Sequence, residues 1–199
     1  MSTGFFMGVR SSFREGTAPA AEAFLAAINQ ALSQNGSQPY RDPLQPPDVY
    51  NDSLFGRSEL DNCSSETLAE VACLGSQSST STNLSLICDN PYRTCFIPAY
   101  LGIPIPTIYQ ERIGSQTITI WIGSLSNLFR EVTKLAAILG IPMQSDGLLA
   151  DQTAEAINRE DQFLAKDSQS DVDRRQAWLC LYESVRLALA HGAALTLAG

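Results

Sequence analysis

Eight carboxylates fall within residues 146–173: Asp146, Asp151, Glu155, Glu160, Asp161, Asp167, Asp171 and Asp173, against only Arg159 and Lys166 as bases. Acids four apart, such as Asp151 and Glu155, are neighbours on a helix, and such pairs can hold a divalent metal or share acid–base work. Asp171-Val172-Asp173 has the spacing of a metal-holding D-x-D. Both acids would also open a helix, however, where the positive end of the dipole favours them without any metal. The chain has one histidine, His191, and no Cys-x-x-Cys, so a zinc site has almost nothing to draw on. A solvated acidic face is the expected reading, with Asp151, Glu155, Glu160 and Asp161 as contacts for a basic protein partner. No metal, no cofactor and no catalytic residue is expected.

A second constellation is the dipeptide Gly123-Ser124, between a strand pattern and a helix pattern. The free N–H groups and positive dipole of a helix start suit a phosphate or carboxylate, with Gly123, Ser124 and Ser126 as its contacts. The stretch Gly-Ser-Leu-Ser-Asn lacks the lysine of a P-loop and the spaced glycines of a dinucleotide fold. Turn and helix cap are the plainer roles for these residues. His191 falls at the end of a helix pattern, with no sequence-evident nucleophile or orienting acid beside it. Glu183 and Arg186, three apart on an otherwise apolar helix, are expected to pair with each other. The cysteines are five, Cys63, Cys73, Cys88, Cys95 and Cys180, and are expected as free thiols; Cys88 and Cys95 could also meet across a turn.

The elements that position these groups follow from periodicity. Ile118, Ile120 and Ile122 alternate with Thr117, Thr119 and Trp121, which predicts a strand. Leu125, Leu128, Phe129, Val132, Leu135, Ala136 and Leu139 make an unbroken helical stripe, ended by Gly140 and Pro142. Thr107 to Ile113 reads as a strand joined to 117–122 by a Gly114-Ser115 hairpin, with Tyr109 opposite Ile120 and Ile108 opposite Trp121. Further strands are expected at Phe5–Val9, Leu54–Leu60, Leu84–Cys88 and Arg93–Ile97, and an edge strand at Leu195–Leu197. Further helices are expected from Thr17 to Ser33, from Ser65 to Leu74, from about Leu148 to Lys166, and from about Val172 to Gly192. The prolines between Ser37 and Ser53 predict a long surface loop pinned by Tyr40 and its neighbours, and Ile103-Pro-Ile-Pro106 an extended run with two blocked pairings. The polar stretch 75–83 is expected to be a mobile loop.

At 199 residues and 44% hydrophobic, one globular domain over 1–199 is expected. Its class is expected to be α+β: a small, mostly antiparallel sheet packed against three or four helices, with an α/β layered fold as the alternative. No apolar run reaches the roughly 18–20 residues of a membrane span. The first residues carry no basic leader, so a cytoplasmic location is expected. The net charge of −8 sets nucleic acid aside as a ligand, because phosphate binding needs clustered Lys and Arg. The function expected is a non-catalytic interaction module, an inhibitor or immunity-type protein neutralising a basic partner; the alternative is an enzyme or small-molecule binder with its anion site at Gly123-Ser124.

Overall fold

The computed structural model describes residues 2–13, 18–43, 63–78, 82–89, 91–110, 117–159 and 168–198. In chain order these give β1 (Ser2–Met7), α1 (Ala18–Gln34), β2 (Cys63–Ser64), α2 (Ser65–Ser78), α3 (Thr82–Asp89), β3 (Thr94–Ile97), β4 (Ile105–Gln110), β5 (Thr117–Ser124), α4 (Leu125–Ile138), α5 (Asp151–Asn158), α6 (Gln169–Ala190) and β6 (Leu195–Ala198). The strands hydrogen-bond in the order β2-β1-β6-β3-β5-β4. Among the described residues only β3 and β5 run parallel; the other pairs are antiparallel. The α+β class expected from the sequence is the class found.

Alternation along the strands sends side chains to two separate cores. On one face Cys95, Ile97, Ile105, Tyr109, Ile120 and Ile122 pack against Phe24, Ile28 and Leu32 of α1. On the other, Phe96, Leu195 and Leu197 meet the buried stripes of α2 to α6, among them Leu128, Val132, Trp178 and Val185. Trp178 is wholly buried, and its indole N–H donates to the carbonyl of Val132 at 2.8 Å, so α6 is fixed to α4 by a satisfied polar contact inside apolar packing. α6 buries 13 of its 22 residues, which explains its broad apolar composition. Among the described residues no helix is long and apolar enough to cross a membrane.

Several expectations need correction. Leu84–Cys88 lies in helix α3, not in a strand: Leu84 and Ile87, three apart, turn inward together while the Glu131 carboxylate accepts from the N–H groups of Asn83 and Leu84 at 3.1 and 2.9 Å. A five-residue stretch, Leu-Ser-Leu-Ile-Cys, fits both periods, and tertiary packing decides. The loop expected at 75–83 is largely helical, since α2 runs through Gly75 to Ser78 and α3 begins at Thr82. Gly75 gives Leu84 of α3 room to pack against α2.

The β4–β5 register is two residues from the one expected: Thr107 faces Ile120 and Tyr109 faces Ile118. A slip of two leaves every side chain on its own face, so the hydrophobic pattern cannot detect it. Of the two positions expected to be blocked, Pro106 stands in β4 opposite Trp121, beside Ile105 opposite Ile122. β6 lies inside the sheet, between β1 and β3, rather than at an edge. Cys73 and Cys88 form a disulfide between α2 and α3, against the expectation of free thiols, because helix packing brings their Cα atoms to 5.2 Å. Cys95 and Cys180 are buried and take no part in a disulfide. The strand expected at 54–60 lies outside the described residues.

Candidate functional site

The helix start at Gly123-Ser124 is closed by the chain's own atoms. Ser124 is the N-cap of α4, and its Oγ accepts from the N–H of Asn127 at 3.3 Å and donates to the Ala99 carbonyl at 2.8 Å. The Ser124 N–H donates to Asn83 Oδ1 at 3.0 Å. Asn83 Nδ2 donates to Glu131 at 2.9 Å, so one asparagine ties α3, β5 and α4 together. The Asn127 amide donates to the Leu101 carbonyl at 2.7 Å. A Cβ at Gly123 would stand 2.5 Å from the Phe96 ring, so glycine is required by close packing and not by an incoming ligand. Ser124 is 1% exposed. Ser126 alone of the three expected contacts faces solvent. The Ser124 N–H and hydroxyl and the Asn127 N–H and amide are spent inside the chain, and the isoleucines and leucines around the turn fill a core. The anion-site alternative is corrected accordingly.

The acidic side is built differently. α5 turns Ala154 and Ile157 into the core, and the same geometry leaves Asp151 and Glu155 exposed. Asp151 stands in the first turn, where the helix dipole favours it; the N-cap, Ala150, makes no side-chain hydrogen bond. Leu149, just before α5, donates its N–H to the Tyr182 hydroxyl at 3.2 Å and so fixes α5 against α6. Glu160 and Asp161 lie outside the described residues. At the start of α6, Ser168 and Asp171 form a reciprocal capping box, and Asp173 accepts from Gln169 at 3.0 Å. The D-x-D acids therefore serve the helix start. Among the described residues no group of three or more His, Cys, Asp or Glu converges on a metal position.

The structure adds acids that sequence reasoning did not single out. Glu66 and Glu70 lie on the first turns of α2, both exposed, and Arg174 of α6 bridges Glu70 and Asp171. The hydrogen bond to Glu70 is the main cause raising the Arg174 guanidinium pKa. α2 and α5 both pack on α6. Glu66, Glu70, Asp151, Glu155, Asp171 and Asp173 thus belong to α6 and the two helices that pack on it. The signal for Glu66 and Glu70 was their place in a helix start, but nothing in their spacing says that α2 lies along α6.

The remaining titratable candidates hold the fold. Glu183 is fully buried and paired with Arg186 through two hydrogen bonds of 2.6 and 2.9 Å, as expected. His191 is the C-cap of α6. In the stretch 37–43, Tyr40 is the anchor expected: its hydroxyl donates to Asp42 and accepts from the N–H of Ala194, both at 2.7 Å. Asp42 also accepts from the N–H groups of Val9 and Arg10 at 2.7 and 2.9 Å. Burial, reinforced by Asp42, pushes the Tyr40 hydroxyl well above the usual tyrosine range.

Residues 51–197 match the model of a family described as "Putative DNA-mimic protein". No curated protein and no solved structure matches the chain. The family match overturns two expectations. The inhibitor or immunity-type role gives way, because the family points to capture of proteins that bind DNA. The partner expectation, which took any basic protein, gives way to that narrower class for the same reason.

Proposed function

The chain belongs to this DNA-mimic family, and we propose from that premise that its acidic helices stand in for duplex DNA before a DNA-binding protein. The observation that carries the reading is coincidence of place: Glu66, Glu70, Asp151, Glu155, Asp171 and Asp173 all lie within the matched residues 51–197. A DNA-binding surface is basic because it must neutralise phosphates, so an acidic protein face can occupy it and exclude the duplex. Asp151 and Glu155, like Glu66 and Glu70, are four residues apart, a rise of about 6 Å along the helix. A DNA strand carries one charge per roughly 3.4 Å of axis. The protein face is the sparser array, and it lacks the condensed counterions of DNA. Capture of a partner should therefore weaken less steeply with salt than the same partner's grip on DNA. Asp151 and Glu155 are proposed as contacts, with Glu160 and Asp161 continuing the acidic run in sequence. The cytoplasmic location expected from the sequence is kept as part of this proposal, since a partner that handles DNA works inside the cell.

The test uses proteins eluted from a DNA column loaded with an extract of the source cells. Passed over the immobilised full chain, a subset should be retained and then released by short duplex DNA. Addition of the chain to one retained protein should displace labelled duplex from it. Reversing charge at Asp151 and Glu155 to lysine should reduce both effects. Retention that duplex cannot compete away, or that ignores the charge reversal, overturns the proposal.

A further inference from the structure

The carboxylates of the acidic helices are not equally available to another molecule. Glu66, Asp151 and Glu155 are exposed and take part in no ion pair among the described residues. Glu70 and Asp171 are held by Arg174, in the second turn of α6. One terminal nitrogen of the guanidinium meets Glu70 across the joint between α2 and α6, and the other donates to Asp171 at 3.4 Å. The second oxygen of Asp171 accepts from the N–H and hydroxyl of Ser168 at 2.9 and 2.7 Å, so both of its oxygens are engaged inside the chain.

The fold has little need of this cation. The side chains of Arg174, Glu70 and Asp171 are 28%, 47% and 37% exposed, and ion pairs in that range add little to stability. The Nε of Arg174 is buried without a hydrogen-bond partner among the described residues, so its head is held by the two carboxylates alone. Its electrostatic consequence is larger. A guanidinium set between two carboxylates leaves them a single net negative charge and occupies the oxygens that another cation would use.

We propose that Arg174 determines which part of the acidic side a DNA-binding partner can use: it withdraws Glu70 and Asp171 and leaves the contact to α5. The inference rests on the DNA-mimic reading and names the residue that limits it. A partner's arginines and lysines meet Asp151 and Glu155 directly, whereas at the joint of α2 and α6 they must first displace a cation already in place. Arg174 thereby acts through the carboxylates it covers, and its removal makes the joint a second place of contact.

The test is displacement of labelled duplex from a DNA-column protein that the immobilised full chain retains. Arg174→Met removes the charge and keeps an apolar stem. It should tighten capture roughly fivefold at low salt and make capture fall more steeply as salt is added. Arg174→Lys, which keeps the charge, should capture as the parent does. Glu70→Gln should weaken capture more in the Arg174→Met background than in the parent, because only there does the partner reach that carboxylate directly. Urea midpoints of the variants should stay close to the parental one. Capture unchanged or weakened in Arg174→Met overturns the inference, as does an equal effect of Glu70→Gln in the two backgrounds. A lowered midpoint with unchanged capture also overturns it and makes Arg174 a brace between α2 and α6. Where the parent displaces duplex, each of these failures leaves the DNA-mimic reading standing; a parent that displaces duplex from no DNA-column protein overturns both.

Discussion

The turn at Gly123-Ser124 and the outer side of α5 begin alike, each a helix start with polar residues within one turn of it. They differ in what remains after folding. At the turn, the Ser124 hydroxyl and N–H, the Asn127 amide and the Glu131 carboxylate all have partners inside the chain. On α5, Asp151 and Glu155 face water. A folded chain offers another molecule only the polar groups that its own architecture has not consumed. Substitutions at the turn should accordingly change stability, and substitutions on α5 should change recognition.

The largest effect is expected at Gly123. In Gly123→Ala the new methyl would enter the space of the Phe96 ring, which is wholly buried and cannot swing clear, and would also press on Asn83. Overpacking of this kind costs about 3 kcal/mol at the upper end of its range. Urea unfolding should show the unfolding free energy falling by that amount, through a lower midpoint at an unchanged slope. A variant as stable as the parent would mean that the turn has slack, and the contrast with α5 would lose its basis.

The disulfide sharpens the comparison, because it joins α2, which carries Glu66 and Glu70, to α3, which carries Asn83. Cys73 and Cys88 are 15 residues apart, and closing a loop of that length stabilises by about 3 kcal/mol in the chain-entropy model. Cys73→Ser should lose roughly 2–3 kcal/mol, and reductant should take a similar amount from the parent but not from the variant. Capture of a DNA-binding partner below the unfolding transition should persist. Lost capture in a still-folded variant would show that the acidic surface depends on how the turn region is braced.

What could be read beforehand divides along similar lines. β5 and α4 were legible because eight and fourteen residues each show one clear period. α3 was not, since Leu84 to Cys88 is too short for its period to be decided, and the carboxylate that caps it comes from Glu131, 47 residues away from Leu84. The central place of β6 and the Cys73–Cys88 bridge are likewise products of long-range packing. For the candidate site, Asp151 and Glu155 could be found from charge alone. Their grouping with Glu66 and Glu70 required the packing of α2 on α6.

A smaller effect is expected on the α1 side of the sheet, where Tyr40 and Asp42 form a polar contact as fully consumed as the turn. The pKa of Tyr40 is raised by burial and by Asp42. A group whose folded pKa lies above its unfolded value contributes stability that is present below that unfolded value, near pH 10 for tyrosine, and lost as pH climbs. The parent should therefore lose stability above about pH 10, and Tyr40→Phe should flatten that decline. It should also cost about 1–2 kcal/mol at neutral pH, where Asp42 and the Ala194 N–H each lose a partner. An unchanged alkaline profile would mean that other buried groups, such as Tyr182 or Cys95, carry the decline.

The smallest effect on the fold is expected where the effect on recognition is greatest. Asp151 and Glu155 are both exposed, so reversing their charge should alter stability by no more than about 0.5 kcal/mol. Two opposing terms keep the change small. Lysine at Asp151 loses a favourable interaction with the helix start, worth about 0.3–1 kcal/mol. A single reversal at Glu155 replaces a like-charge pair with Asp151 by an attractive one, worth about 0.2–0.5 kcal/mol. Glu155→Lys alone should thus be neutral or slightly stabilising in urea, while it weakens capture of a DNA-binding partner and makes the remaining capture less sensitive to salt. If capture and its salt dependence stay at parental values, carboxylates elsewhere on the chain make the contact, and α5 is an acidic surface that its partner does not touch.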